Sequence, residues 1–258
     1  MAINKTIYLS ILALISAVSC SKPNIQYNKR SIYYIEHFKD HPYKASPTSE
    51  RKIYNLDGFD CVTFVDSVLA FSKAENYEDF ISTIKELGYY DSIVKFQQRR
   101  HFAIADHFSQ QPQYFKNITD SITNKPLTTR TVEINRSAFF EKVFKKKNIK
   151  VKPEILRMSY AAFPSYDENY IKQKFMNKIF IIGFLPSQQK LQAIRTAIAS
   201  DVDISHLGFM VVRNDAVYLY HAKLGDKVVE VKLKDYIEEK IKSDAFDGFM
   251  VYDIFDNI

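Results

Sequence analysis

The chain has 258 residues, of which 46% are hydrophobic and 26% charged, a composition typical of a globular protein rather than a disordered one. Glycine occurs only 6 times, and neither a GxGxxG dinucleotide motif nor a P-loop is present. The formal net charge of +6 indicates either a solvated basic surface or association with anionic envelope polymers or lipids. The sequence contains no basic helix and no aromatic RNA-binding motif, which argues against a nucleic-acid partner.

The first 20 residues are predicted to be an export signal. Lys5 gives a short positive region, and the mostly apolar stretch 7–18 is too short to span a membrane. The segment Ala17-Val18-Ser19-Cys20 resembles a bacterial lipobox, which implies cleavage before Cys20 and lipid attachment to it. Plain secretory cleavage near the same point is the alternative. The lipobox predicts a lipoprotein of the cell envelope that faces the periplasm, held at the inner or outer membrane.

The remainder is predicted to be a short tether and one domain. Residues 21–31 are interpreted as the tether and residues 32–258 as the domain. Apolar residues at helical spacing predict a strong helix over 61–74 and a second over 77–87 that Gly88 ends. A weaker helix signal covers 31–39.

Residues 89–185 are interpreted as a long middle insertion with a few regular segments. After it the pattern changes to short apolar runs separated by polar turns, which predicts a meander of antiparallel strands. The predicted strands are 207–212, 217–221, 228–231 and a last one at 249–254, with a helix at 235–242. Helices followed by strands in this order indicate an α+β fold with one principal domain.

Cys61 is the one thiol left in the mature chain if Cys20 is lipidated, because the chain has only 2 cysteines. Asp57 and Asp60 precede it at positions where helix N-caps are favoured. A helix N-terminus stabilises negative charge and therefore a thiolate, so Cys61 is predicted to be a nucleophile. An inert buried cysteine is the alternative.

His206 and His221 lie in the predicted strands, and their spacing suits two paired strands joined by one turn. His206 is a candidate base and acid for Cys61, and His221 is a candidate residue to orient it. Satisfied core histidines are the alternative. His37 and His41 have the four-residue spacing of helical metal ligands, but Pro42 disfavours helix at His41, so no metal site is predicted.

Three motifs resemble a known family. The segments Phe59-Asp60-Cys61-Val62-Thr63-Phe64-Val65 and Asp203-Ile204-Ser205-His206-Leu207-Gly208-Phe209 are similar to the NlpC-type papain-like peptidases and amidases of bacterial cell walls. The closer similarity is to the N-acetylmuramoyl-L-alanine amidase-like subgroup, whose central Arg-x-His-aromatic motif is matched by Arg99-Arg100-His101-Phe102 with Asp106 following. The resemblance implies a papain-like NlpC-type fold, with the nucleophile at a helix N-terminus packed on an antiparallel sheet that carries the histidines.

The resemblance also implies roles for individual residues. It implies a catalytic triad of Cys61, His206 and His221, and a tyrosine near the oxyanion site, matched by Tyr43 after Pro42. The candidate substrate-binding residues are Arg99, His101, Asp106 and Asp60. Ordinary packing is the alternative for Tyr43, and a structural hydrogen-bond cluster is the alternative for Arg99, His101 and Asp106.

This chain also departs from the family pattern. The usual Gly-Thr before the Pro-Tyr pair is Asp40-His41 here, and His107 follows Asp106 where relatives often have tryptophan. A Gly-Asp pair expected upstream of the histidine strand is absent near Arg195-Thr196. These differences bear on substrate preference more than on chemistry.

The activity implied is hydrolysis, without a cofactor, of the amide that joins the lactyl group of N-acetylmuramic acid to L-alanine. The partners would be peptidoglycan fragments (muropeptides) and a membrane reached through the lipid on Cys20. Two alternatives stay open. One is a stem-peptide endopeptidase of the same fold that cuts the γ-D-glutamyl-diamino acid bond. The other is a non-catalytic muropeptide-binding lipoprotein.

Overall fold

The computed structural model describes residues 23–45, 53–146 and 149–254, with side chains from residue 29 onward. The predicted export signal and Cys20 lie outside the described residues, so export and lipidation stay predictions. Among the described helices, none combines the length and the apolar character that a membrane span requires.

The described strands form one eight-stranded sheet in which every pair is antiparallel. The order is β2-β3-β8-β4-β5-β6-β7, and the short β1 pairs with β8. This arrangement confirms the α+β class and the antiparallel meander predicted for the last third of the chain. The strands are β1 (Phe115–Asn117), β2 (Thr128–Ile134), β3 (Glu154–Ala162), β4 (Ile179–Pro186), β5 (His206–Val212), β6 (Val217–Ala222), β7 (Val228–Lys232) and β8 (Phe246–Ile254).

Seven α-helices are described, together with a π-helical turn, Ala103–Phe108. The first described helix covers Pro23–Phe38, so residues 23–31 of the predicted tether are helical. The helices are α1 (Pro23–Phe38), α2 (Cys61–Lys73), α3 (Tyr77–Gly88), α4 (Arg136–Phe144), α5 (Glu168–Phe175), α6 (Gln188–Ile198) and α7 (Leu233–Lys242).

Both faces of the sheet are covered. Helices α1, α2 and α3 pack with one core cluster, and α5 and α7 with the other. Strand β4 contributes side chains to both clusters. Ile181 and Leu185 belong to the first, and Phe180, Ile182 and Phe184 to the second. A strand buried on both faces has no polar alternation, which explains the continuous apolar run in its sequence.

The middle region is part of the same sheet. The predicted insertion over 89–185 contains β1, β2 and β3, and its last residues form most of β4, which pairs with both β5 and β8. Strand pairing links residues far apart in sequence, so position along the chain did not reveal this role. The region is therefore integral to the domain that carries Cys61.

Candidate active site

Cys61 is the first residue of α2, and a capping box fixes that start. Asp60 is the N-cap, its Oδ1 accepts from the Thr63 backbone N–H at 2.8 Å, and its own N–H donates to Thr63 Oγ1 at 2.9 Å. These reciprocal bonds satisfy N–H groups that the first helical turn cannot bond internally. Asp60 thus has a structural role as a cap, and its predicted contact with substrate stays a prediction.

Cys61 is a half-buried residue. Burial raises its pKa to about 12, the nearby Asp60 charge adds to the rise, and backbone groups of Leu207, Val62 and Cys61 itself counteract it. The backbone at the helix start lowers the pKa, as expected of a helix N-terminus, but burial outweighs it and the net pKa is raised. Nucleophilic attack by this thiol would require a base to remove its proton.

His206 and His221 meet on the neighbouring strands β5 and β6. Nε2 of His206 lies 2.8 Å from Nδ1 of His221, and the ring planes are at 89°. Gly208 permits this approach, because a Cβ there would lie 3.0 Å from the His221 Cβ and 2.5 Å from the Tyr220 carbonyl oxygen. The close backbone approach expected at Gly208 is therefore present.

Both imidazoles are neutral near pH 7. Burial lowers the pKa of His206 to about 3, with further lowering by His221 and Lys240. Burial likewise lowers the pKa of His221 to about 4, with Lys240 and Lys223 adding to it. If Nε2–H of His206 donates to His221, Nδ1 of His206 is left as an acceptor, which is the form a base needs.

Tyr43 lies beside Cys61. It forms an isolated bridge with Phe59, and its backbone N–H donates to the Asp226 carbonyl at 2.8 Å. Burial raises the pKa of the Tyr43 hydroxyl, and the charges of Asp60 and Cys61 raise it further. The phenol is therefore protonated near pH 7 and can donate a hydrogen bond. The structure thus brings Tyr43, Asp60 and Cys61 together.

The histidine pair borders the same region. A hydrogen bond with the Leu207 backbone lowers the pKa of the Cys61 thiol, and Leu207 directly follows His206. Within the described ranges no three potential metal-ligand side chains gather into a group, and His37 and His41 lie with ring centroids 6.0 Å apart.

Asp106 of the central motif is engaged by the protein itself. Its Oδ2 accepts from the backbone N–H of His101 and Phe102 at 2.8 and 3.0 Å, and its Oδ1 accepts from Tyr90 and Arg136. Burial raises the pKa of Asp106, but hydrogen bonding and charge from Arg136 outweigh it, and the net pKa is lowered. This geometry favours the alternative of a structural cluster over a substrate contact for Asp106.

His101 packs among four phenylalanines that fill the space between the central motif and α4. Burial lowers its pKa to about 4, so the ring is neutral near pH 7. Its Nε2 is buried without a partner in the described structure. The ring centroids of Phe96, Phe139, Phe140 and Phe144 lie 5.2–5.6 Å from that of His101.

Asp203 joins the central motif to the histidine strand, a role that sequence reasoning missed. Its carboxylate accepts from the backbone N–H of Ala103, Ile104 and Ala105 at 2.7–3.2 Å. Burial raises the pKa of Asp203 to about 6, although the backbone donors favour its charged form. The available signal was an aspartate three residues before His206, flanked by Val202 and Ile204.

Replacing Asp203 with alanine is expected to lower the free energy of unfolding by about 3 kcal/mol, because several buried N–H groups lose their acceptor. Urea denaturation of purified variants measures this. The exposed Asp120→Ala variant is the control and should change stability by less than about 0.5 kcal/mol. Equal stability of the two variants would contradict the anchoring role of Asp203.

Asp66 was also missed, and it lines a narrow cavity one turn beyond Cys61. The cavity volume is about 30 Å³, enough for about two waters, and its charged walls are Asp66, Arg99 and Arg100. Burial raises the pKa of Asp66 to about 7, Asp60 raises it further, and the two arginines oppose the rise. An acid inside the apolar run Phe64-Val65-Asp66-Ser67-Val68 was the signal for this residue. The structure therefore places Arg99 beside α2, the helix that begins with Cys61.

Comparison with solved structures shows a shared fold. A crystal structure of a Legionella pneumophila protein has a TM-score of 0.81 and 20% identity, covering 97% of this chain and 94% of that one. An N-acetylmuramoyl-L-alanine amidase from Bacteroides uniformis has a TM-score of 0.68 and 18% identity, covering 89% and 99%. Among curated proteins, none matches the chain.

The family model described as AmiA-like, N-acetylmuramoyl-L-alanine amidase-like, matches residues 34–243. The match spans Tyr43, Cys61, the central motif, His206 and His221. It covers well over half of the 258 residues. The chain therefore belongs to the N-acetylmuramoyl-L-alanine amidase-like family, a cell-wall-related family of amidase-like hydrolases.

Proposed function

We propose that the protein is a cysteine amidase of NlpC papain-like type that hydrolyses the N-acetylmuramoyl-L-alanine amide bond of peptidoglycan or muropeptides. The observation that supports this most is a thiol at the N-terminus of α2 beside the start of β5, where His206 contacts His221 at 2.8 Å. Family membership suggests the bond and the substrate, and the geometry suggests the nucleophile and the base.

The first half of the reaction forms a thioester. Nδ1 of His206 accepts the Cys61 proton as the sulfur attacks the lactyl carbonyl carbon. The tetrahedral intermediate collapses, the C–N bond breaks, and the His206 imidazolium donates its proton to the departing amine of L-alanine. The stem peptide leaves, and the N-acetylmuramoyl group stays bound to the sulfur.

The second half restores the enzyme. Water attacks the thioester carbonyl while His206 takes a proton from it, the C–S bond breaks, and the proton returns to Cys61. His221 accepts Nε2–H of His206 in both halves and thereby stabilises the imidazolium and its orientation. The Tyr43 hydroxyl and the backbone N–H at the start of α2 donate to the oxyanion in both tetrahedral intermediates.

Arg99 is proposed to bind a carboxylate of the stem peptide, a geometry that guanidinium supports with two parallel hydrogen bonds. Arg99→Ala is expected to lower kcat/KM by roughly 10- to 100-fold, mainly through a higher KM. Steady-state kinetics on a soluble muropeptide measure this, with the exposed Lys95→Ala as the control. An unchanged kcat/KM in Arg99→Ala would remove this role.

Product analysis tests the proposal as a whole. Purified protein is incubated with a defined N-acetylmuramoyl-peptide, and the products are identified by mass spectrometry. Free stem peptide beginning with L-alanine is the expected product, formed by the wild type and lost in Cys61→Ala. Cleavage after D-glutamate would establish the endopeptidase instead. Binding without turnover by the wild type would establish the non-catalytic alternative.

A further inference from the structure

Helix α7 contacts the strand that carries His221 and packs over the histidine pair. We propose that Tyr236 and Lys240 on this helix are positioning residues that hold His206 and His221 in their neutral, hydrogen-bonded form. The proposal rests on the proposed function and extends it to the pH range in which the site works.

Tyr236 closes an aromatic enclosure around the pair. Its ring centroid lies 6.4 Å from that of His206 and 5.1 Å from that of His221, and the residue is only 6% exposed. Phe184 and Phe246 complete the enclosure, with ring planes at 25° and 14° to the His206 ring. With rings on several sides, His206 has little freedom to rotate, which keeps its Nε2 directed at His221.

Lys240 follows Tyr236 by one helical turn and therefore shares its face of α7. Its Nζ lies 4.9 Å from the centroid of the Tyr236 ring and 2.7 Å from Oε1 of Glu239. The side chain is 22% exposed, so solvent screens its charge only in part. The ring and the carboxylate thus hold an ammonium group against the enclosure of the histidines.

Other charged or titratable groups face the pair from the neighbouring elements. Beyond the end of β6, the charge of Lys223 lowers the pKa of His221. Lys223 is itself paired with Asp226 at 3.1 Å. From α2, Cys61 raises the pKa of Tyr236, and Asp60 raises the pKa of Cys61.

Lys240 differs from Lys223 because it lowers the pKa of both histidines. The enclosing side chains from β4 and β8, Phe184 and Phe246, carry no charge.

The ammonium group has two consequences for the proposed reaction. It opposes protonation of the resting pair, so Nδ1 of His206 stays available as a base when the pH falls below the ordinary histidine range. It also destabilises the imidazolium formed during attack, which makes His206 a better acid toward the leaving amine. Loss of the charge is therefore expected to move protonation of the pair, and the acid limb of activity, to higher pH.

The experiment follows the ring signals of His206 and His221 by NMR across pH in the wild type, Lys240→Gln and Lys240→Arg. The midpoints are expected to move upward by on the order of half a pH unit or more in Lys240→Gln and to stay unchanged in Lys240→Arg. The acid limb of kcat/KM should move in the same direction. Because the NMR readout needs no turnover, it stands even if the substrate proves to be different. Unchanged midpoints in Lys240→Gln would overturn the role of Lys240.

The role of Tyr236 is tested by comparing a variant without the aromatic ring, Tyr236→Leu, with one that keeps the ring and lacks only the hydroxyl, Tyr236→Phe. Tyr236→Leu, which keeps apolar packing, is expected to lower kcat with little change in KM and to shift the histidine midpoints. Tyr236→Phe should recover both properties, because positioning depends on the ring. If Tyr236→Leu keeps the wild-type midpoints and kcat, Tyr236 has no positioning role. A thermal melt of each variant confirms that it is folded.

Discussion

Replacing Cys61 with alanine is expected to abolish the proposed muropeptide hydrolysis, with a fall in kcat of roughly 10⁴-fold or more. The reason is that the proposed reaction proceeds through a bond to sulfur, and no other thiol lies within the described residues. The backbone start of α2 depends on Asp60 and Thr63 and not on the sulfur. The variant should therefore stay folded, with stability within about 1 kcal/mol of the wild type. Product formation followed by chromatography and mass spectrometry measures the activity.

Cys61→Ser is the matched control for shape. A serine hydroxyl is a far weaker acid than a thiol, and the neutral His206 is a weak base because burial lowers its pKa to about 3. The serine variant is therefore expected to be nearly as inactive as the alanine variant. Activity above about one per cent of wild type in Cys61→Ala would contradict a cysteine nucleophile.

Replacing His206 with alanine is expected to lower kcat by roughly 10³- to 10⁴-fold, since the protonated thiol then has no base. The effect should exceed that of Tyr43→Phe, which removes one oxyanion donor and keeps the nucleophile and base. His221→Ala should have an intermediate effect, because His206 remains but loses the acceptor at 2.8 Å that orients it. Single-turnover kinetics separate these losses from changes in binding.

His107 offers a control for buried histidines in general. Burial lowers its pKa to about 3, as it does for His206, but His107 lies in the cavity wall with Asp66 and Arg100. His107→Asn is expected to change stability more than kcat. If His107→Asn and His206→Ala reduced kcat equally, the loss in His206→Ala would reflect disturbed packing and not a missing base.

The start of α2 could be predicted from sequence because the forces that fix it are local. Asp60 and Thr63 stand three residues apart, the spacing of a capping box, and the apolar helical pattern begins directly after Asp60. The strands of His206 and His221 were predictable for the same reason, since their short apolar runs end at polar turns. These local signals were enough to bring the proposed nucleophile, base and orienting residue into one hypothesis.

Long-range partners were not predictable. Asp106 pairs with Arg136, which lies 30 residues later, and Asp203 caps a turn about 100 residues earlier in the chain. Nothing in the local sequence around Arg136 or Asp203 indicates these partners, because tertiary packing brings them together. The role of Tyr236 was not predictable for the same reason, because its contact with His206 depends on how α7 lies on the sheet.

The protonation state of the site is a second property that local sequence did not show. A helix N-terminus favours the Cys61 thiolate, but its effect is smaller than the cost of burying the charge. Burial is set by α2, β5 and the residues around Tyr43 together. The resulting picture is a protonated thiol beside a neutral histidine pair, so in the proposed mechanism proton transfer would accompany attack.

Capture of the acyl-enzyme tests the central claim most directly. The wild type and the slower His221→Ala variant are mixed with a defined muropeptide, quenched in acid, digested and examined by mass spectrometry. The peptide that contains Cys61 is predicted to carry an N-acetylmuramoyl group with no amino acid attached. An adduct on Cys61 that includes L-alanine and D-glutamate, or continued hydrolysis with Cys61 never modified, would contradict the proposed amidase.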